Sequence, residues 1–173
     1  MKVFQIIVLM GLLLSGVCNV YAEDYKIVIK TQHNKMVLMK DSKVIKEFKV
    51  STVKAGLPVP KNVGVVTKVE LEPNWYPTQR TKDYFKEHKG IILPQVVPYG
   101  SPHNYMGAFK ISMTNSTPSR GQIYRIHGTL NESTIGTNET GGCVRMYNKE
   151  GKEFAKHIKE LIKSNTVKVI YET

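Results

Sequence analysis

The stretch of sequence that organises this chain is residues 123–146, IYRIHGTLNESTIGTNETGGCVRM. Its β-branched and aromatic start predicts a short strand that ends at His127. A polar loop dotted with glycines follows, and Cys143 stands sixteen residues after the histidine. Directly before the cysteine lie Gly141 and Gly142. The segment therefore places one imidazole and one thiol at opposite ends of one loop.

These two side chains have the chemistry of a base and a nucleophile. A free cysteine has a pKa of about 8.5, and a nearby imidazole raises its thiolate fraction by forming an ion pair. The imidazole needs a partner that sets its tautomer, and the carbonyl of Gly128 is the candidate nearest in sequence. A glycine pair lets the backbone turn its amides toward a developing oxyanion. A second interpretation stays open, because a lone cysteine is often a small buried hydrophobe and a histidine at a strand end is often only solvated.

Composition excludes several classes of protein. The 173 residues are 41% hydrophobic and 23% charged, near the averages for globular domains, so the chain is neither disordered nor fibrous. Its formal net charge is +11. Nucleic acid is disfavoured as a partner because no nucleic-acid-binding motif is recognisable. Attraction to an anionic cell wall or membrane surface and a simply soluble surface are both open interpretations.

Residues 1–22 have the pattern of a cleaved secretory signal peptide. Lys2 precedes an apolar run, and Val20-Tyr21-Ala22 supplies small residues for cleavage. The alternative is an uncleaved N-terminal anchor, whereas Val17 before Cys18 argues against a lipoprotein site. We therefore expect a periplasmic or cell-envelope protein with a single domain over residues 23–173. Stable membrane insertion is not expected, and Cys143 would be its only thiol.

Patterns outside the central stretch predict a mostly β domain. Alternating residues over 24–51 predict an antiparallel meander of three strands. All eight prolines lie in residues 58–118, so that region is expected to hold turns, loops and at most short strands. Helical spacing over 154–162 predicts a C-terminal helix with Asn148 as its cap, and residues 167–171 a final strand. The short strands expected in the proline-rich region are Val63–Leu71 and Ala108–Ser112.

Five aromatic side chains in the proline-rich region have two interpretations. They could form a groove wall or lid over a substrate, or they could pack the loops together, which is the more common role. These side chains are Trp75, Tyr76, Tyr84, Phe85 and Tyr99.

The histidines do not predict a metal site. His33, His88 and His157 lack the spacing of metal ligands, and one mature cysteine argues against structural zinc. We expect no metal and no cofactor.

Residues 127–146 resemble the YkuD-type L,D-transpeptidase catalytic domain, specifically its ErfK/YbiS-like branch. The resemblance rests on His-Gly-Thr, on a polar loop that contains Ile135-Gly136, and on Gly-Cys-Val-Arg-Met. It extends over about residues 24–173. Further similar segments are Gly56-Leu57-Pro58-Val59-Pro60, Pro73-Asn74-Trp75-Tyr76-Pro77-Thr78 and Asn104-Tyr105-Met106-Gly107.

The resemblance implies a β-rich α+β fold: an L,D-transpeptidase-like β-sandwich or barrel with a C-terminal helix and a final strand. It also implies an exported enzyme that acts on peptidoglycan tetrapeptide stems. Its cysteine would attack the third residue of the stem, release the terminal D-Ala and pass the resulting thioester to an amine from a second stem or a protein. Cys143 would be the nucleophile, His127 the general base and Gly128 the carbonyl that orients it.

The same resemblance assigns the surroundings of the cysteine. The amides of Gly142 and Cys143 would bind the oxyanion. Thr140 belongs to the substrate-binding part, and Arg145 would grip a substrate carboxylate or brace the loop. The usual family pattern has Ser-His where this chain has Thr140-Gly141, so a second imidazole is missing and the acceptor chemistry is in doubt.

Three other functions remain open from the sequence. An L,D-carboxypeptidase or related hydrolase would share the acylation step and use water as the acceptor. A cell-wall-binding module with an inactive site would keep the fold alone. A cysteine peptidase that does not act on peptidoglycan would cleave ordinary L-peptides.

Overall fold

Within the described residues, eight strands form one mixed sheet and two short strands form a second. The computed structural model describes residues 23–119, 121 and 123–173, so the predicted signal peptide lies outside the described residues. The strands and helices in chain order are β1 (Tyr25–Lys30), β2 (Lys35–Lys40), β3 (Lys43–Lys49), β4 (Thr52–Val53), β5 (Gly64–Leu71), α1 (Gln79–Lys89), β6 (Phe109–Met113), β7 (Arg125–His127), β8 (Asn138–Thr140), β9 (Val144–Arg145), α2 (Asn148–Leu161) and β10 (Val167–Glu172). The large sheet has the order β3-β2-β1-β10-β5-β6-β7-β9.

The predicted N-terminal meander is confirmed. β1 pairs antiparallel with β2, and β2 pairs antiparallel with β3. Asp41 and Ser42 make the second turn with φ values of +46° and +68°, a conformation that favours tight hairpins. In β1, Val28 is buried together with Ile27 and Ile29. Because successive side chains of a strand point to opposite faces, both faces of β1 are covered here.

The last strand enters the middle of the sheet. β10 pairs parallel with β1 on one side and antiparallel with β5 on the other. The predicted C-terminal strand is thus confirmed, but its position between two N-terminal strands is decided by long-range pairing. It joins the meander to the four strands that carry the candidate site.

Helix α2 covers one face of the sheet and closes the core. Phe154, Ala155 and Ile158 are buried against the sheet, and the ring of Phe154 lies 4.6 Å from that of Phe48. Gly151 faces the sheet so closely that a Cβ there would lie 2.2 Å from a ring carbon of Phe109. The helix and the final strand confirm the predicted mostly β architecture.

Two local predictions were wrong. Residues 79–89 form a helix, where only turns and short strands were expected. Thr78 caps this helix by accepting a hydrogen bond from the Thr81 amide at 3.2 Å, and Gly90 ends it with φ +63°. Phe85 is the only buried residue of α1. The sequence of this helix therefore shows no helical repeat of apolar residues. Asn148 is not a cap: it lies inside α2, and the residue before the helix, Tyr147, makes no side-chain cap.

We predict that Gly151→Ala destabilises the protein although alanine is the better helix former. A Cβ would overlap Phe109, and overpacking costs about 1–3 kcal/mol, against a gain of up to about 1 kcal/mol from helix propensity. The net loss in the free energy of unfolding, measured in urea, should be about 1–2 kcal/mol. Lys156→Ala on the exposed face of the same helix is the control, and a Gly151→Ala protein as stable as wild type would contradict the packing.

Candidate active site

His127 is the last residue of β7 and only 4% of it is exposed. Its Nδ1 lies 2.7 Å from the carbonyl oxygen of Gly128. Because a carbonyl oxygen only accepts hydrogen bonds, this contact favours the neutral tautomer with a proton on Nδ1 and a lone pair on Nε2. The Gly128 carbonyl that was chosen from the sequence is therefore in contact with the imidazole.

The surroundings of His127 favour its neutral form. Burial is the largest cause, followed by the positive charge of Arg145 and, more weakly, of Arg125, and together they lower the pKa of His127 to about 4. Hydrogen bonding to the carbonyls of Gly128 and Met106 raises the pKa and offsets part of this effect. Near pH 7 the ring is thus an unprotonated imidazole that can accept a proton.

Lys110 also faces this histidine across the sheet. Lys110 lies directly opposite His127 in the pairing of β6 with β7. Its ammonium is 2.7 Å from a carboxylate oxygen of Glu70 on the next strand. This salt bridge offsets part of the lysine charge, and the charges that lower the pKa of His127 are those of Arg145 and Arg125.

Thr140 closes the turn that leads to the cysteine. Its hydroxyl donates to the Cys143 carbonyl at 2.6 Å and accepts from the Gly142 amide at 3.1 Å. Thr140 is 1% exposed, so both bonds are shielded from water. Gly142 has φ +142°, a conformation that residues with a Cβ seldom adopt. The shape of this turn therefore depends on the Thr140 hydroxyl and on a glycine at position 142.

Cys143 is half-buried, and its Sγ lies 3.8 Å from the carbonyl oxygen of Ile123. It immediately precedes β9, which pairs parallel with β7 through Ile126–Val144 and His127–Arg145. The backbone of Arg145 is also held by two hydrogen bonds of 2.9 Å to Ser51. The pairing brings the segments that carry the predicted nucleophile and base onto neighbouring strands. Direct contact between sulfur and imidazole stays a prediction.

The turn at Asn104 also contacts the histidine. Asn104 is buried; its side-chain amide donates to the carbonyls of Pro73 and Val97 and its oxygen accepts from the Met106 amide. This network fixes the turn whose Met106 carbonyl contacts the His127 ring. The segment resembling the family turn thus lies at the candidate site.

Two of the five aromatic side chains in the proline-rich region have the packing role. Trp75 and Phe85 pack with Tyr105 in a small cluster, with ring centroids 5.1–6.1 Å apart. The other three side chains, Tyr76, Tyr84 and Tyr99, are exposed. The cluster stabilises the loops around α1, whereas a groove wall or lid formed by the exposed rings stays a prediction.

Several residues near the site carry no signal in the sequence. The carbonyls of Ile123 and Met106 contact the cysteine and the histidine through backbone atoms. Tyr171 comes from β10: burial first, and then the nearby Cys143 and Tyr124, raise the pKa of its hydroxyl well above the ordinary value. Such contacts join distant parts of the chain, so no local motif reports them.

Residues 23–119, 121 and 123–173 contain no group of three His, Cys, Asp or Glu residues that could hold a metal ion. None of the helices in this part of the chain is long and apolar enough to cross a bilayer.

Solved structures place this fold in a known class. An L,D-transpeptidase from Mycobacterium smegmatis superimposes with a TM-score of 0.55 at 14% identity, over 87% of this chain and 59% of that one. L,D-transpeptidase 3 from Mycobacterium tuberculosis gives a TM-score of 0.54 at 11% identity, over 87% of this chain and 62% of that one. The chain has the fold of L,D-transpeptidase catalytic domains.

Sequence comparison defines the family. Residues 24–169 match the YkuD L,D-transpeptidase catalytic domain, and the chain belongs to this family. It is 34% identical to an Escherichia coli protein that bears the name L,D-transpeptidase ErfK/SrfK. The match covers 62% of this chain and 32% of that protein. It is 30% identical to a Bacillus subtilis protein that bears the name L,D-transpeptidase YqjB. The match covers 73% of this chain and 62% of that protein. The chain thus spans about a third of ErfK/SrfK and less than two thirds of YqjB.

The lowered pKa of His127 predicts a specific loss of stability in acid. The unfolded chain binds a proton to this residue below about pH 6.5, whereas the folded chain resists protonation until about pH 4. Stability that is present above pH 6.5 is therefore lost as the pH falls toward 4. Between pH 7 and pH 5 the wild type should lose about 2 kcal/mol more free energy of unfolding than His127→Gln.

Urea unfolding at the two pH values measures this difference. His157→Gln removes an exposed histidine and is the matched control; it should keep the wild-type pH dependence. Equal pH dependence in His127→Gln and wild type would show that the buried ring is not held neutral.

Proposed function

We propose that this chain is an exported cysteine L,D-transpeptidase that acts on peptidoglycan tetrapeptide stems. Family membership supports the class of reaction. The single observation that carries the proposal is the bond from His127 Nδ1 to the Gly128 carbonyl, 2.7 Å between heavy atoms. That bond leaves Nε2 as a base on the strand that pairs with the one following Cys143.

The proposed reaction has two covalent steps. His127 Nε2 takes the proton of the Cys143 thiol, and the thiolate attacks the carbonyl carbon of the third stem residue. The tetrahedral intermediate collapses, the C–N bond to the terminal D-Ala breaks, and the imidazolium gives its proton to the leaving amine. An amine from a second stem then attacks the thioester carbonyl and the C–S bond breaks. The proton lost by the amine passes through His127 to the sulfur, which regenerates the thiol.

The Gly142 and Cys143 amides are the proposed oxyanion donors. The Gly142 N–H is engaged by Thr140 Oγ1 at 3.1 Å, so it can serve an oxyanion only by sharing or releasing that bond. The proposed role of Thr140 is therefore to hold the turn in shape until the acyl group arrives. Arg145 lies opposite His127 in the strand pairing, where a guanidinium would bind a substrate carboxylate.

The acceptor distinguishes the main alternatives. Gly141 is exposed beside Gly142, and it brings no side chain to the position where the family pattern has a histidine. Water that reaches the thioester from this side would make the enzyme an L,D-carboxypeptidase on the same stems. An inactive wall-binding module is less favoured, because a buried, neutral His127 beside the Gly128 carbonyl is suited to accept a proton. An unrelated cysteine peptidase is less favoured, because the chain belongs to the YkuD family.

Export is part of the proposal and rests on residues 1–22. The periplasm or cell envelope is where stem peptides are found. The net charge of +11 would concentrate the protein near an anionic wall polymer.

We expect Cys143 to form a covalent adduct in the folded protein. Faropenem is a suitable probe, because Mycobacterium tuberculosis L,D-transpeptidase 3 has been solved with a faropenem-derived adduct. Intact-mass spectrometry should show one adduct in wild type and none in Cys143→Ser. His127→Ala should slow its formation about 100-fold or more, since general-base catalysis contributes that order of magnitude.

His157→Ala is the control for loss of a histidine and should react like wild type. A wild-type protein that gains an adduct only after denaturation would favour the inactive binding module.

We predict crosslinked products from a disaccharide tetrapeptide substrate. Transfer yields stem dimers and free D-Ala, whereas hydrolysis yields the tripeptide and free D-Ala. Chromatography and mass spectrometry of the products separate these outcomes, with Cys143→Ser as the blank. Tripeptide alone would replace the transpeptidase proposal by the carboxypeptidase, and cleavage of ordinary L-peptides without D-Ala release would contradict both.

A further inference from the structure

Asn148 holds the loop that follows His127 through both the oxygen and the nitrogen of its side-chain amide. Its Oδ1 accepts from the amide of Ala108 at 2.9 Å and from the amide of Thr129 at 3.2 Å. Its Nδ2 donates to the Thr129 carbonyl at 2.6 Å. The side chain therefore joins the start of α2 to the start of β6 and to the loop after β7.

One peptide unit connects this amide to the histidine. The Thr129 N–H that donates to Asn148 and the Gly128 carbonyl that accepts from His127 belong to the same planar group. A rotation of that peptide would move the carbonyl away from Nδ1. An acceptor on the N–H side also polarises the carbonyl and strengthens its bond to the ring.

The sequence around Asn148 leaves room for this contact. A Cβ at Gly128 would lie 2.2 Å from Asn148 Oδ1, and a Cβ at Gly107 would lie 2.3 Å from it. Both glycines are therefore required where two backbone segments approach the same amide oxygen. The glycine of the His-Gly-Thr motif, Gly128, is thus needed for close packing as well as for its carbonyl.

The position of the side chain is itself well fixed. Asn148 is the first residue of α2, and its backbone amide donates to a carboxylate oxygen of Glu132 at 2.6 Å. Glu132 lies in the loop that follows Thr129, so the loop and the helix hold each other at two points. Helix α2 is anchored in turn by its buried apolar face.

We propose that Asn148 is a positioning residue which fixes the Gly128–Thr129 peptide and thereby holds His127 with Nδ1 protonated and Nε2 directed to accept the cysteine proton. The inference rests on the proposed function, because His127 is the base only in that reaction. Asn148 touches neither reacting atom in this role and acts only through the peptide and the imidazole.

The substitution Asn148→Asp separates positioning from a simple role in the helix. An acidic residue in the first turn of a helix is favourable, so α2 by itself should tolerate or prefer aspartate. At the loop, the carboxylate has no donor for the Thr129 carbonyl and would set an oxygen against it. This repulsion moves the side chain away, so the Thr129 N–H loses its acceptor. The substitution is therefore expected to stabilise the start of the helix and to destabilise the loop.

The experiment uses the full chain and two readouts that need no stem substrate. ¹⁵N NMR of the histidine rings identifies the tautomer, with His127→Gln assigning the signal. The rate of iodoacetamide alkylation at Cys143 is measured from pH 5 to 9. In wild type we expect one tautomer with Nδ1 protonated; in Asn148→Asp we expect mixed tautomers and alkylation slower by at least about tenfold at pH 7, a fraction of what a general base contributes.

Asn131→Asp is the matched control, because Asn131 lies in the same loop and uses only its oxygen, which accepts from Ser133. It should leave the tautomer and the alkylation rate within about twofold of wild type. If Asn148→Asp does not fold, Asn148→Ser receives the same two measurements. A folded Asn148 variant with the wild-type tautomer and pH profile would overturn the inference.

Failure of the proposed function would look different. A wild-type protein that releases no D-Ala from tetrapeptide would contradict the proposed reaction, whereas the ring tautomer would still report whether Asn148 positions His127.

Discussion

The parallel pairing of β7 with β9 is the constraint on which the candidate site depends. Ile126 and Val144 lie opposite each other in this pairing, and both are fully buried in the core. Each contributes about 1.5–3 kcal/mol by leaving water, so sliding one strand along the other would be costly. This apolar contact sets the register that places Arg145 opposite His127 and the cysteine next to the start of its strand.

Around that register the site is shaped mainly by backbone groups. The Gly128 and Met106 carbonyls contact the imidazole. The Thr140 hydroxyl makes the hydrogen bonds that water would otherwise make to the turn before Cys143. Burial and two arginines keep His127 neutral. The same features serve stability and chemistry, because a neutral buried ring is both the cheapest state to bury and the one able to accept a proton.

Asn148 illustrates how one residue can be placed correctly and interpreted wrongly from sequence. Its position at the start of a predicted helix suggested a cap, since asparagine commonly fills that role. The structure keeps the helix start but directs the side chain to Thr129 and Ala108. Local propensity identified the element, and the neighbouring loop decided what the side chain does. The helix α1 was missed for a related reason, because its single buried residue leaves no periodic signal.

The amino-acid sequence alone determined the strands of the N-terminal meander, the final helix and strand, and the choice of His127, Gly128 and Cys143. Those features depend on alternation, helical spacing and residue chemistry, which are local properties. Only the tertiary structure decided that β10 enters between β1 and β5 and that the Met106 carbonyl and Tyr171 approach the site. Strand order depends on long-range pairing, and every residue has a carbonyl, so side-chain identity cannot report which one will contact the histidine.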